Sequence, residues 1–265
     1  MAKDKGGTEV INDFLVGCDP EFVLLDSKGQ VFNTAHLWEQ DGPIGWDHNG
    51  RVQELRPEPT KGTYALLRRI QTLVMDKKLE GSFRRRAGAR VGNESLGGHV
   101  HFGFSCAPKI SYSTTDPFQS AKVTYPEGHA KRLRALDAVT YLLEHLDILP
   151  LQECTNRRKG NYGKWGDFRD SNGHTEYRTM ASWLYDPKVA YACLTAAKLA
   201  ASDPEGTADS LKGVTSFKGL ENWVAKYKGK DTNARRLLEL LAKGHKPLQI
   251  DPDVDFRGRW ERLGI

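Results

Sequence analysis

Gly97-Gly98-His99-Val100-His101-Phe102-Gly103 reads as a strand framed by glycines. Side chains alternate along a strand, so His99 and His101 share one face, while Val100, Phe102 and Phe104 point to the other. The glycines on either side remove side chains and let a ligand or another backbone approach. Working outward, the same grammar recurs. Glu176 and Arg178 share a face in Thr175–Met180, with Tyr177 and Thr179 opposite. Glu54 and Arg56 share a face in Val52–Arg56, a short strand ended by Pro57 and Pro59. Asp19 and Glu21 flank Pro20 at the start of a strand. Four strands thus each offer a polar pair on one face and apolar neighbours on the other.

Each pair alone has a bland explanation: a turn, an exposed histidine pair or a surface ion pair. Together they imply more. If the four strands adjoin, the carboxylates crowd, and like charges at close range resist ionisation unless a cation neutralises them. An oxygen-rich set with few imidazoles favours Mg²⁺ or Mn²⁺ over zinc. It also suits phosphate chemistry, where a metal bridges oxygens that the acids would repel.

The rest of the chain supplies the frame. Asp13–Cys18 and Glu21–Leu25 read as extended, with a hairpin turn at Asp26-Ser27-Lys28-Gly29 and a return strand from Val31. Gln40–Gly50, with three glycines and a proline, reads as a loop. Lys61–Leu79, His129–Leu149 and Asp186–Ala201 carry helical patterns, the last with Asp186 as cap and Pro187 in the first turn. Arg90–Glu94 is ambiguous. Asn156–Asp170 is glycine-rich, basic and aromatic, and reads as a loop. Its cations include Arg157, Arg158, Lys164 and Arg169, placed to close over polyphosphate, and Tyr162 within it and Arg56 are candidate substrate contacts. Ser202–Ser210 reads as a polar connection, followed by short helices at Leu220–Tyr227 and Asn233–Lys243. The expected division is therefore residues 1–202, carrying the site, and a helical extension over 203–265.

The 265 residues, 38% hydrophobic and 28% charged, suit a globular chain with a real core. No apolar run approaches bilayer length, and Met1–Thr8 lacks the apolar core of a secretory signal, so a cytoplasmic location is expected. Four scattered cysteines fit buried thiols rather than a disulfide framework. The net charge of +5 is concentrated in places. Arg84-Arg85-Arg86, with Arg90 behind, reads either as a solvated basic face or as an anion-binding patch; the lack of interleaved aromatics disfavours nucleic acid.

The ordered set Gly17-Cys18-Asp19-Pro20-Glu21-Phe22, Glu54-Leu55-Arg56-Pro57, Gly97 to Gly103 and Glu176-Tyr177-Arg178-Thr179 resembles the phage-associated amidoligases. These are carboxylate–amine ligases of the glutamine synthetase and glutamate–cysteine ligase superfamily. The resemblance spans Gly17 to about Pro187, and nothing after Asp203 contributes to it. It implies an α+β fold: a curved, mostly antiparallel sheet with helices on its convex side, whose concave face holds two or three divalent ions and ATP. It implies metal-ligand roles for Asp19, Glu21, Glu54, His99 and Glu176. His99 would also lie near the ATP phosphates and His101 nearer the acceptor substrate. Arg178 would contact phosphate or substrate, with Arg157, Arg158 and Arg169 as the remaining candidates for phosphate contact and catalysis. Sequences of this family place an Asp-Gly directly in the Asp41–Gly50 loop, but the sequence here is Trp46-Asp47-His48-Asn49-Gly50, which leaves Asp47 without an assigned role. The implied activity is an ATP- and Mg²⁺-dependent ligase joining a small-molecule or peptide carboxylate to an amine, with homo-oligomers common among relatives. The alternatives are a metal-dependent hydrolase and a catalytically inactive binding or virion-associated protein of the same fold.

Overall fold

The structure, a computed structural model, describes residues 14–103, 127–171, 174–244, 246, 248 and 250–263. Phe104, Cys106, Asp13 and the Met1–Thr8 segment lie outside the described residues. The fold is α+β, with an antiparallel sheet and eight helices among the described residues.

Strand β1, Val16–Leu25, is the spine of the sheet and is buried along its whole length. It is one strand rather than two segments separated at Pro20. The reason lies in the hydrogen-bond sides. Glu21 N–H donates to Gly97 O at 2.8 Å, so the Pro20 nitrogen faces the opposite edge, past the Glu21–Glu54 register pair that ends the partner strand's pairing. A missing N–H costs nothing there. After the Asp26–Gly29 turn, in which Gly29 adopts φ 77° and Asp26 Oδ1 accepts from Lys28 N and Gln30 N, the expected return strand shrinks to one bridge between Val31 and Leu25.

Two strands lie in the stretch from Gln40 to Leu55: β2, Ile44–Asp47, and β3, Val52–Leu55. The first corrects the loop reading of Gln40–Gly50; a short edge strand rich in glycine leaves little periodic signal. Helix α1, Thr63–Val74, is shorter than Lys61–Leu79 because a separate 3₁₀ turn, Lys77–Leu79, follows it. Strand β4 is the arginine run itself, Arg84–Arg86, paired with the far end of β1. The ambiguous Arg90–Glu94 stretch is a small hairpin of β5, Arg90–Val91, and β6, Glu94–Ser95. Strand β7, Gly98–Phe102, carries the two histidines.

Helix α2 covers Glu127–His145. The loop expected over Asn156–Asp170 is instead helix α3, Leu151–Lys159, a turn, and strand β8, Phe168–Ser171. Arg157, Arg158 and Lys159 fall in the last helical turn, where cations complement the exposed carbonyls. Strand β9, His174–Tyr177, follows, and helix α4, Pro187–Ser202, starts at the expected Asp186 cap, whose side chain accepts from Lys188 N. The polar connection expected after Ser202 is helix α5, Pro204–Leu211, capped by Asp203. Helices α6, Phe217–Ala225, α7, Thr232–Leu241, and α8, Arg257–Glu261, complete the chain.

The sheet order is β2-β3-β1-β7-β9-β8, with β4 beside the end of β1. One face of it is apolar: Cys18, Val100 and Tyr177 follow one another across β1, β7 and β9. Helix α2 packs there, and the Tyr177 hydroxyl donates to Asp137 Oδ1 at 2.8 Å and lies 2.9 Å from Thr140 Oγ1. The helices beyond Asp203 add Leu211, Trp223, Leu237 and Trp260 to the same hydrophobic core as β1 and α4.

In the arginine run only Arg84 is a solvated side chain; the fold engages the other two. Arg85 is buried, donates to Leu79 O and Phe83 O, and pairs with Asp255 at 2.7 Å. Arg86 pairs with Asp253. The tail Asp251-Pro252-Asp253-Val254-Asp255 therefore lies along β4 and matches its charges.

Candidate active site

The register places the polar residues in one row. Glu54 pairs with Glu21 across β3 and β1, Asp19 with His99 across β1 and β7, His101 with Glu176 across β7 and β9, and Glu176 with Arg169 across β9 and β8. Register partners share a face, and so do residues two apart. The row therefore occupies a single face, opposite α2.

His99 is the hub. Its Nδ1 lies 3.2 Å from Asp19 Oδ1 and 3.4 Å from Glu176 Oε1, and its Nε2 lies 3.9 Å from Glu21 Oε1. The ring rests over Gly97, where a Cβ would sit 2.1 Å from Nε2. Burial pulls the imidazole's pKa down, but Asp19, Glu21 and Glu176 outweigh it and raise it to about 9. Burial alone would raise the Asp19 carboxyl, yet His99 and His101 hold it far below the usual carboxylate range. Glu21 accepts from Gly97 N at 2.5 Å; burial pushes its pKa up against the pull of His99. Glu54, raised by burial and by Asp19 and Glu21, reaches about 8.

Two groups of oxygen and imidazole ligands emerge, Asp19–His101–Glu176 and Glu21–Asp47–Glu54, each with its donor atoms within 4.8 Å of one another. They fit hard divalent ions. The donors are mainly carboxylates, and Asp19 Oδ1 and His101 Nε2 are buried atoms that make no hydrogen bond although they lie 3.0 Å apart. Asp47 is the residue that sequence reasoning left without a role. It stands two residues beyond Gly45, which is opposite Glu54, so it shares Glu54's face. The only signal for it was an acid in an extended stretch, and the surrounding glycines hid that stretch.

The cations sort differently from their sequence clusters. Arg169 Nε contacts Glu176 Oε2, and Arg178 Nη1 lies 3.3 Å from Glu176 Oε1. Arg157 is buried and donates to Thr179 O at 3.0 Å; among the described residues no carboxylate lies within ion-pair distance of it. Burial lowers its pKa, with Glu21 opposing. Gly163, at φ 59°, leaves room for it, since a Cβ there would sit 1.8 Å from Nη1. Arg158 turns away from the row. It forks onto Glu144 of α2 and stacks over Trp165 at 4.2 Å, so its charge is engaged on the helical side. Arg56 donates to Glu54 Oε2 at 2.5 Å and to Gln40 O and Gly42 O, which makes it a clamp on the strand β2 approach. The Tyr162 hydroxyl lies 2.7 Å from His48 Nε2, beside Asp47 at the rim. Lys164 is fixed through its carbonyl, which accepts from Thr179 Oγ1 at 2.8 Å.

Acids thus gather on one face of an antiparallel sheet, with arginines at its margin. The family model of the phage phiEco32-like COOH.NH2 ligases, type 2, matches residues 16–111 and 127–260, and the chain belongs to this family of carboxylate–amine ligases. The match runs to residue 260, well past Pro187, where the recognisable motifs end. No curated protein matches the chain. Among solved structures, a crystal structure of a bifunctional glutathione synthetase from Pasteurella multocida is similar at 11% identity and a TM-score of 0.48, over 96% of this chain and 49% of that one. The chain thus spans about half the length of that enzyme. No helix among the described residues is long and apolar enough to cross a membrane.

Proposed function

We propose that the chain is an ATP-dependent ligase that joins a carboxylate to an amine, on a sheet of the glutamine synthetase kind, with Mg²⁺ or Mn²⁺ as its ion. The observation that carries this reading is the convergence of Asp19, Glu21, Glu54, His99, His101 and Glu176, from four strands, on one sheet face. Divalent ions held by the two ligand groups would screen the approach of one anion to another, a repulsion that is severe in a low-dielectric cleft. Asp19, His101 and Glu176 would hold one ion, and Glu21, Asp47 and Glu54 another. His99, between them, orients Asp19 and Glu176.

In the proposed reaction a substrate carboxylate oxygen attacks the γ-phosphorus of ATP and ADP leaves, giving an acyl phosphate. The amine nitrogen then attacks the carbonyl carbon, phosphate departs with the C–O bond electrons, and the amine loses a proton. Arg157, Arg169 and Arg178 are proposed to contact the transferring group. Removing one such contact is expected to cost on the order of 10³-fold in rate. Arg158 has no part in this proposal, because Glu144 holds it. With His101 given over to the ion, a carboxylate of the row is proposed to accept the amine's proton. The helices beyond Asp203 are proposed to belong to the same catalytic unit, since their side chains complete its core.

The test is phosphate release from ATP with Mg²⁺ and pools of amino acids or peptides. Release should require both a carboxylate and an amine, and should disappear in Glu21→Gln and Glu176→Gln variants that remain folded. Nucleotide-independent hydrolysis would overturn the reading in favour of a metal-dependent hydrolase.

A further inference from the structure

We infer that Arg169 is an exchangeable counter-ion of Glu176, and that a divalent ion taking up Glu176 displaces it and so releases its charge toward the nucleotide's phosphates. This rests on the ligase reading and adds a coupling between its two ligands.

Glu176 is fully buried. A buried carboxylate is costly without compensation. Here both oxygens are covered: Oε2 by Arg169 Nε, and Oε1 by Arg178 Nη1 at 3.3 Å and His99 Nδ1 at 3.4 Å. Yet Glu176 also belongs to the Asp19–His101–Glu176 ligand group. An ion binding there competes with the cations already on the carboxylate, and the least anchored of them is the one that gives way.

The surroundings say which one. His99 is buried and seated over Gly97, with Asp19 and Glu21 at its other contacts. Arg178 is three-quarters buried and has Asp167 at 3.9 Å as a second partner. Arg169 is different. Its side chain is 56% exposed, it stands on the last strand of the sheet, and its one carboxylate partner among the described residues is Glu176. It can swing out without disturbing any other ion pair. Once freed, its guanidinium stands at the mouth of the centre, where a planar fork suits the phosphate oxygens that arrive with the ion. Linkage then requires reciprocity: the nucleotide tightens ion binding by the factor that the ion tightens nucleotide binding.

The experiment is titration of the full chain with Mn²⁺, followed by calorimetry and by the spin-resonance signal of free Mn²⁺, with and without the β,γ-imido analogue of ATP. For Arg169→Ala, Mn²⁺ affinity without nucleotide should rise roughly three- to tenfold, because the competing cation is gone. The tightening of Mn²⁺ by the analogue should shrink in the same variant. Arg169→Gln, which keeps a polar side chain on the strand but removes the charge, should behave alike. Unchanged or weaker Mn²⁺ binding in both folded variants, with normal binding in the wild type, overturns the inference alone. Absence of Mn²⁺ binding in the wild type overturns the ligase reading and the inference together.

Discussion

Asp19 Oδ1 and His101 Nε2 face each other at 3.0 Å, both buried and neither in a hydrogen bond, at the meeting point of β1 and β7. Asp19 Oδ1 also lies 3.2 Å from His99 Nδ1, so one carboxylate oxygen faces two imidazoles, and a cation beside it would use bonding capacity that the pair leaves unspent. Asp19 is also the foremost group that raises the His99 pKa. Asp19→Asn is therefore expected to weaken Mn²⁺ binding by about tenfold or more. It should also shift the His99 titration down from about 9, as read by imidazole proton resonances. An unchanged His99 titration would contradict the geometry.

The ionisation of Glu54 sets the pH dependence. Its folded-state pKa, about 8, lies above its unfolded value, so the folded chain holds this proton more tightly. Stability from that proton is fully present below the unfolded pKa and is lost as pH rises through about 8. His99, raised to about 9, has the same sign over a window ending higher. Metal-free protein should thus lose stability progressively from Glu54's ordinary value of 4.5 up to about 9, while Mn²⁺ affinity rises as Glu54 ionises. Glu54→Gln should raise the thermal midpoint at pH 8 without metal and change it little at pH 5, by differential scanning calorimetry.

Gly97 is fixed by the ring beside it. A Cβ there would meet His99 Nε2 at 2.1 Å. Gly97→Ala should displace the imidazole, and a displacement of about 1 Å costs on the order of 10²-fold in turnover. Steady-state kinetics beside a thermal melt would separate this from unfolding.

The arginine strand is predicted to be structural. Arg85 keeps its backbone acceptors in Asp255→Ala but loses its carboxylate partner. A cost of about 1–3 kcal/mol is expected, or roughly 2–4 °C of midpoint per kcal/mol. Arg84→Ala, at an exposed position, should change the midpoint little.

What could be read from the amino acids alone was the part written in alternation. Asp19/Glu21, Glu54/Arg56, His99/His101 and Glu176/Arg178 are local pairs, and strand periodicity puts each on one face without any knowledge of the partners. Asp47 was not legible, because the strand β2 that carries it is four residues long and flanked by glycine and proline. Nor was the fate of Arg158, which depends on Glu144 in a different helix, or that of Arg85, which depends on Asp255, 170 residues away. Helix α3 was masked by the glycines that end it, Gly160 and Gly163. Local chemistry is visible in a chain; which charge a cation meets is settled only by topology.

The most direct measurement is anomalous scattering at the manganese edge from crystals soaked in Mn²⁺ with the β,γ-imido ATP analogue. Peaks within bonding distance of Asp19, His101 and Glu176, and of Glu21, Asp47 and Glu54, with the phosphates between them and Arg169 turned from Glu176, are the predicted result. Density showing analogue and ions elsewhere on the surface, with the row of acids untouched, would contradict the proposed active centre.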